Sequence, residues 1–112
     1  MKKVEAIIRS SKFDDVTEAL ENAGIIFFTF LEVKGHGKQK GDEITYRGSH
    51  YDSGYIPRLK LEIVVPDNKA NSVGNIVCEH ARTGNIGDGK IIVTTVDSFT
   101  RVRTGETGDD AL

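Results

Sequence analysis

The chain has no tryptophan, one cysteine, two prolines and no apolar run long enough to cross a bilayer. Each shortage excludes something. A lone Cys78 cannot build an internal disulfide framework and suits a reducing compartment, which rules out a small stapled secreted scaffold. In a helical, partly apolar setting its thiol is expected to be a small core residue rather than a nucleophile. Met1-Lys2-Lys3-Val4 leads straight into a strand-like run, so neither a signal peptide nor a membrane anchor is expected, and the reading is cytoplasmic. Net charge is equally scarce. Fifteen basic against seventeen acidic residues leave −2, with no electrostatic footprint for general nucleic-acid or membrane binding. Any phosphate site must therefore be local.

What is present suffices for one globular domain over residues 1–112, with 38% apolar composition and room for one core. Val4, Ala6 and Ile8 alternate with Glu5 and Arg9, predicting a strand over 2–9, and Ser10-Ser11 offer caps for a following helix. Phe13, Val16, Leu20 and Ala23 follow helical spacing, with Asp14 and Asp15 in the first turn and Gly24 as the stop. Ile25 to Val33 is apolar enough to predict a strand buried on both faces or covered by a partner. Ile56 to Val65 alternates as a half-buried strand. Residues 68–82 carry Ala70, Val73, Val77 and Ala81 at helical spacing, weakened by Gly74, and Ile91 to Val96 predicts a last strand. The tail places Arg101 and Arg103 on one face if it is extended.

Strand, helix, strand, arm, strand, helix, strand is the order of a ferredoxin-like α+β sandwich, two βαβ halves with both helices on one side of an antiparallel sheet. The other face would be open. With the apolar run 25–31 on it, a closed homo-oligomer is expected to cover it.

Between the second and third strands lies a polar segment of about twenty residues, from Lys34-Gly35-His36-Gly37-Lys38-Gln39-Lys40-Gly41 to about Tyr55. Loops that long are uncommon without a function. Its glycines and lysines fit a ligand-responsive arm, and they also fit a solvated hairpin. Three segments could converge on an anion: the glycine-rich turn Thr83 to Lys90, the arginines of the tail, and Gly37, Lys38 and Gln39 at the arm's root. The turn lacks Walker spacing, since no Ser or Thr follows Lys90. His36, His50 and His80 have no metal-site spacing, and no nucleophile and base pair emerges. Tyr46 and Tyr51 stand in a polar stretch, available for modification or for docking to a partner.

Several pieces in order now resemble a known family, the PII signal-transduction proteins, which are trimeric sensors of nitrogen, carbon and energy status. They are Glu32-Val33-Lys34-Gly35, Gln39-Lys40-Gly41, Tyr46-Arg47-Gly48, Glu62-Ile63-Val64-Val65-Pro66, Thr83-Gly84, Ile86-Gly87-Asp88-Gly89-Lys90-Ile91 and Arg101-Val102-Arg103-Thr104-Gly105-Glu106, and the match runs from Met1 to Leu112 essentially without gaps. The resemblance implies a homotrimer, a T-loop over about 36–55, a B-loop over about 82–90 and a C-terminal segment over about 97–112. It implies that ATP and ADP compete for clefts between subunits. Lys38, Gly87, Asp88, Gly89, Lys90, Arg101 and Arg103 would line the phosphates, with Gly37, Thr83 and Gly84 completing the set, and Ile7, Thr29, Glu62 and Val64 would surround the adenosine. Arg9, Gln39, Lys40, Gly41, Arg58 and Gly87 would bind 2-oxoglutarate, with Gln39 also helping to hold Mg²⁺, and Tyr51 matches the tyrosine that some members have modified. The implied role is a regulator without catalytic residues whose T-loop engages a target: an ammonium channel, the glutamine synthetase machinery or a transcription regulator. Nucleic acid is not an expected partner, and a membrane is reached only through a channel.

The chain also departs from the family pattern. His50 precedes Tyr51 where Ala or Glu is usual, Asp52-Ser53-Gly54 replaces a more apolar and acidic stretch, Arg58 replaces a lysine, and Ile92 stands where an aromatic is common. An adenine-nucleotide sensor that has lost its 2-oxoglutarate response is therefore one alternative. A second is a small enzyme of the acylphosphatase type, which would need an Arg and Asn pair to orient water, and none stands out. An RNA-binding domain of this architecture would need aromatics on its central strands and a basic face.

Overall fold

The computed structural model describes residues 1–36 and 56–112, together with the backbone of a short strand pair, β3 (Thr45–Tyr46) and β4 (Ser49–His50). The remaining elements are β1 (Lys2–Ile8), α1 (Phe13–Asn22), β2 (Thr29–Gly35), β5 (Ile56–Val65), α2 (Ala70–Ala81) and β6 (Lys90–Thr95). β2, β5, β1 and β6 form one antiparallel sheet in that spatial order. This is the ferredoxin-like α+β arrangement expected from the order of elements.

Strand pairing sorts the side chains. Val4 lies opposite Ile63 and Ala6 opposite Leu61, and these, with Ile8 and Val65, form one apolar face. Val16 and Leu20 of α1 and Val73 and Val77 of α2 close over it, so both helices cover the same side. Gly74 falls at a position where an added Cβ would meet nothing within 4 Å, so no close packing requires glycine there. Helix α1 starts at Phe13, later than the serines suggest. Ser10 and Ser11 form a 3-10 turn with Lys12 instead, and no side chain caps the helix. At the other end Gly24 takes φ +87°, and the Ile25 amide donates to the Leu20 carbonyl, so the chain leaves the helix in a tight left-handed turn.

The opposite face differs from expectation. Its centre is charged: Lys3 Nζ stands 2.9 Å from Glu5 Oε1 and 3.4 Å from Glu62 Oε2, and Lys60 Nζ lies 3.7 Å from Glu5 Oε2. Glu5 and Glu62 are direct cross-strand partners. Like charges in that position repel, and Lys3 between them offsets the repulsion. Its hydrogen bond holds the Glu5 carboxyl below the usual range, and the same bond raises Lys3.

Apolar exposure sits at the sheet edges. Strand β2 begins only at Thr29, so residues 25–28 are not part of the sheet, and Phe27 is 79% exposed. Phe30, which packs against Phe13 with ring centroids 4.7 Å apart, and Leu31 remain open to solvent, as do Ile92 and Val93 on the far edge. The run 25–33 is therefore not buried on both faces within one chain; only Ile25 reaches the core fully. Truncating the fully buried Leu61 to Ala is expected to cost about 2–5 kcal/mol, read as a lower denaturant midpoint at unchanged slope.

Candidate functional site

The glycine-rich loop is organised by one carboxylate. Helix α2 ends where Arg82 turns extended, and Gly84, Gly87 and Gly89 then take φ of +89°, +103° and +106°, values open to glycine. This path brings Asp88 back under the start of its own loop. Its Oδ2 accepts the backbone N–H of Thr83 at 2.8 Å and of Gly84 at 2.9 Å, while Oδ1 accepts the Thr83 hydroxyl and Arg9 Nε, the latter at 3.1 Å. Arg9, just past the end of β1, also donates through Nη2 to the Ile86 carbonyl at 2.8 Å. The Thr83 hydroxyl first, then the amides and Arg9, hold the Asp88 carboxyl well below the ordinary aspartate value of 3.8.

Asp88 therefore faces into the loop and shapes it. Gly89 fixes the loop against the sheet. A Cβ there would overlap the Ile7 carbonyl oxygen and stand 2.8 Å from its carbon, so no other residue allows this approach. Ile7, Gly89 and Lys90 line a cleft of about 380 Å³ with Asp88 and the end of α2. Cys78 is on its lip and exposed, contrary to its expected place in the core, because it follows the buried Val77 around the helix.

A second cleft, about 720 Å³, opens at the other edge of the sheet. Thr29, Glu62, Val64 and Arg101 line it, with Lys3, Lys69, Phe27 and Phe99. Thr29 and Glu62 are direct partners across β2 and β5. The tail reaches this cleft folded rather than extended. The Arg101 amide donates to the Glu106 carbonyl at 2.9 Å, and the Gly105 amide donates to the Arg101 carbonyl at 2.8 Å. Arg101 and Arg103 thus share a turn, not a strand face. Arg103 is exposed, whereas Arg101 is held by Glu106 at 2.7 Å and by the main-chain oxygen of Leu112 at 3.1 Å.

The structure gathers the expected residues into two groups. Thr83, Gly84, Gly87, Asp88, Gly89 and Lys90 join Ile7 and Arg9 at the β6 edge, and Thr29, Glu62, Val64 and Arg101 meet at the β2 edge. Three strand spacings separate the edges, about 14 Å. Within one chain the loop and the tail therefore stand apart. Gly37, Lys38, Gln39, Lys40, Gly41 and Tyr51 lie outside the described residues. Arg58, on β5, is half-buried and donates Nη1 to the Pro57 carbonyl at 2.8 Å. Sequence reasoning missed Glu106 as the partner of Arg101, although Thr104-Gly105 is a turn signal that folds it back. Neither central strand, β1 or β5, carries an aromatic residue, so the stacking platform of an RNA-binding sheet is missing from them.

The architecture defines a ferredoxin-like α+β protein with a glycine-rich loop at one edge of its sheet and a cation-bearing cleft at the other. Comparison with known proteins narrows this to one family. The family model described as nitrogen regulatory protein P-II matches residues 1–106. The chain is 48% identical to the nitrogen regulatory protein P-II of Rhodobacter capsulatus and 51% identical to that of Microchaete diplosiphon, over 112 residues and the full length of both chains in each case. A solved structure of Arabidopsis thaliana PII bound to citrate superposes with a TM-score of 0.79 at 40% identity, covering 98% of this chain and 87% of that one. The chain belongs to the nitrogen regulatory protein P-II family, whose work is signal transduction in nitrogen regulation.

The Asp88 clamp has a defined pH dependence. A carboxyl held below its unfolded value contributes fully above about pH 3.8, and the contribution is lost as pH falls further, through the folded-state value. Asp88→Asn is expected to speed amide exchange at Thr83 and Gly84 at pH 7, with the difference from the native protein closing below pH 3.8.

Proposed function

We propose that the protein is a cytoplasmic, non-catalytic PII-type regulator that binds ATP or ADP, and with MgATP 2-oxoglutarate, in clefts completed by a second copy of the chain. The observation that carries this reading is the separation of the two residue groups. Phosphate-type donors, Lys90 and the glycine-rich backbone, stand at one edge, and Thr29, Glu62, Val64 and Arg101 at the other. A closed ring that sets the β6 edge of one copy beside the β2 edge of the next would join them. It would also cover Phe27, Leu31, Ile92 and Val93, and three copies is the number the family resemblance implies. Residues 1–112 then act as one domain, with the segment 36–55 as the responsive arm.

In this reading Lys38, Lys90, Arg101 and Arg103 neutralise the phosphates, Gly37, Gly84, Gly87 and Gly89 let the backbone approach them, and Thr83 and Asp88 keep the loop in shape. Ile7, Thr29, Glu62 and Val64 hold the adenosine. Arg9, Gln39, Lys40, Gly41, Gly87 and Arg58 form the 2-oxoglutarate set. Mg²⁺ would arrive with the nucleotide, with Gln39 as a protein ligand as the family resemblance implies; the described residues themselves hold no group of three or more His, Cys, Asp or Glu able to bind a metal ion. Tyr51 is the proposed modification site, and the arm would select the target protein. No helix among the described residues is long and apolar enough to cross a membrane.

Each charge-assisted contact to phosphate is worth about 1.5–3 kcal/mol. Arg103→Ala is expected to weaken ATP and ADP binding at least tenfold by calorimetry, and an unchanged affinity would move the phosphates elsewhere. Sedimentation should give a trimer at micromolar concentration, and a monomer would remove the shared cleft.

Arg58 governs the second effector. Arginine needs a forked approach to a carboxylate where lysine needs only a point contact. The native protein saturated with MgATP is expected to bind 2-oxoglutarate about ten- to thirtyfold more weakly than Arg58→Lys, a difference of about 1.4–2 kcal/mol. Binding by Arg58→Lys alone would make the native protein a nucleotide sensor without a carbon input.

A further inference from the structure

The tail turn holds a carboxylate on the cation that should meet phosphate. Glu106 Oε1 accepts Arg101 Nη1 at 2.7 Å and the Thr104 hydroxyl at 2.9 Å. Arg101 Nη2 donates to the main-chain oxygen of Leu112, the last residue, at 3.1 Å. Resting on the nucleotide reading above, we propose that Glu106 is a tethered counter-anion: it occupies the phosphate position on Arg101 and must be displaced for a polyphosphate to bind.

Three observations carry this. Carboxylate and phosphate oxygens compete for the same guanidinium edge, because both accept its planar fork of N–H donors. The pair is open enough to exchange, with side chains 33% and 46% exposed, and ion pairs in such positions hold only weakly. Finally, the turn does not need the carboxylate. The Arg101 amide to the Glu106 carbonyl, the Gly105 amide to the Arg101 carbonyl, the Gly108 amide to the Phe99 carbonyl and the bridge between Thr100 and Thr107 are all backbone contacts. Removing the charge leaves the turn closed and Arg101 still oriented by Leu112. Glu106 therefore tunes affinity and not fold, and it sets Arg101 apart from Arg103, which stands exposed on the same turn.

The test is calorimetric titration of the native protein, Glu106→Gln and Arg103→Ala with ATP and with ADP, at about 0.1 M and about 1 M salt, where the screening length falls from about 10 to about 3 Å. Glu106→Gln is expected to bind both nucleotides about three- to tenfold more tightly at the lower salt, with the gain falling to within about twofold at the higher. A residue that merely props the turn would lose affinity at both. Equal or weaker binding by Glu106→Gln at low salt, while the native protein binds and Arg103→Ala is weakened, overturns the counter-anion alone. Absence of nucleotide binding by the native protein overturns the nucleotide reading and the counter-anion with it. Should Glu106→Gln fail to fold, Glu106→Asp is the second variant. Its carboxylate, one methylene shorter on the same pinned backbone, should bind with intermediate affinity, and native affinity at both salts would overturn the proposal.

Discussion

Everything the site requires depends on the pairing of β1 with β5. With Ala6 opposite Leu61 and Val4 opposite Ile63, the even positions of β1 and the odd positions of β5 turn toward the helices. A slip of one residue would exchange the faces, sending Lys3 and Glu5 into the core and Val4 and Ala6 to solvent. The cost of burying unpaired charge makes that alternative untenable. Because this register is so strongly specified, Ile7 arrives at the glycine-rich loop and Glu62 at the opposite cleft without either site having to define its own position.

The loop borrows its rigidity from that frame. Gly89 lies against the Ile7 carbonyl so closely that only glycine fits, and Arg9 reaches from the end of the same strand to Asp88 and Ile86. Glycines alone would leave the segment floppy, since they lose more conformational freedom on folding than other residues. Asp88 reverses that by gathering Thr83, Gly84 and Arg9 around one carboxylate. A flexible composition becomes a fixed shape through hydrogen bonds to one carboxylate rather than through propensity.

Much of this could be read from the residues. Alternation in β1 and β5, helical spacing in α1 and α2, and the turn chemistry around Gly24 and Gly84 are local signals, and each produced an element close to where it was expected. The errors came where local pattern competes with tertiary position. Ile25 to Phe28 has strand-like composition, yet the tight turn at Gly24 spends those residues on reversing the chain, and pairing starts at Thr29. Cys78 falls on the outer side of a helix whose average character is apolar. Arg101 and Arg103 have strand spacing, but Gly105 closes a turn that period-two reasoning does not detect. The separation of the candidate residues onto opposite edges depends on sheet order, which local pattern does not carry; only the family resemblance, with its clefts between subunits, pointed to it.

The two edges also differ in how their polar contacts would assemble in time. Arg9 and Asp88 are 79 residues apart in the chain, so their ion pair can form only after β1, α2 and β6 have been brought together. Arg101 and Glu106 are 5 apart and need nothing but a closed turn. Closing a short loop takes well under a microsecond, whereas pairings of long sequence separation wait on the whole topology. The tail turn can thus open and reclose many times within the life of a folded sheet, while the glycine-rich loop keeps its shape for as long as the sheet itself survives.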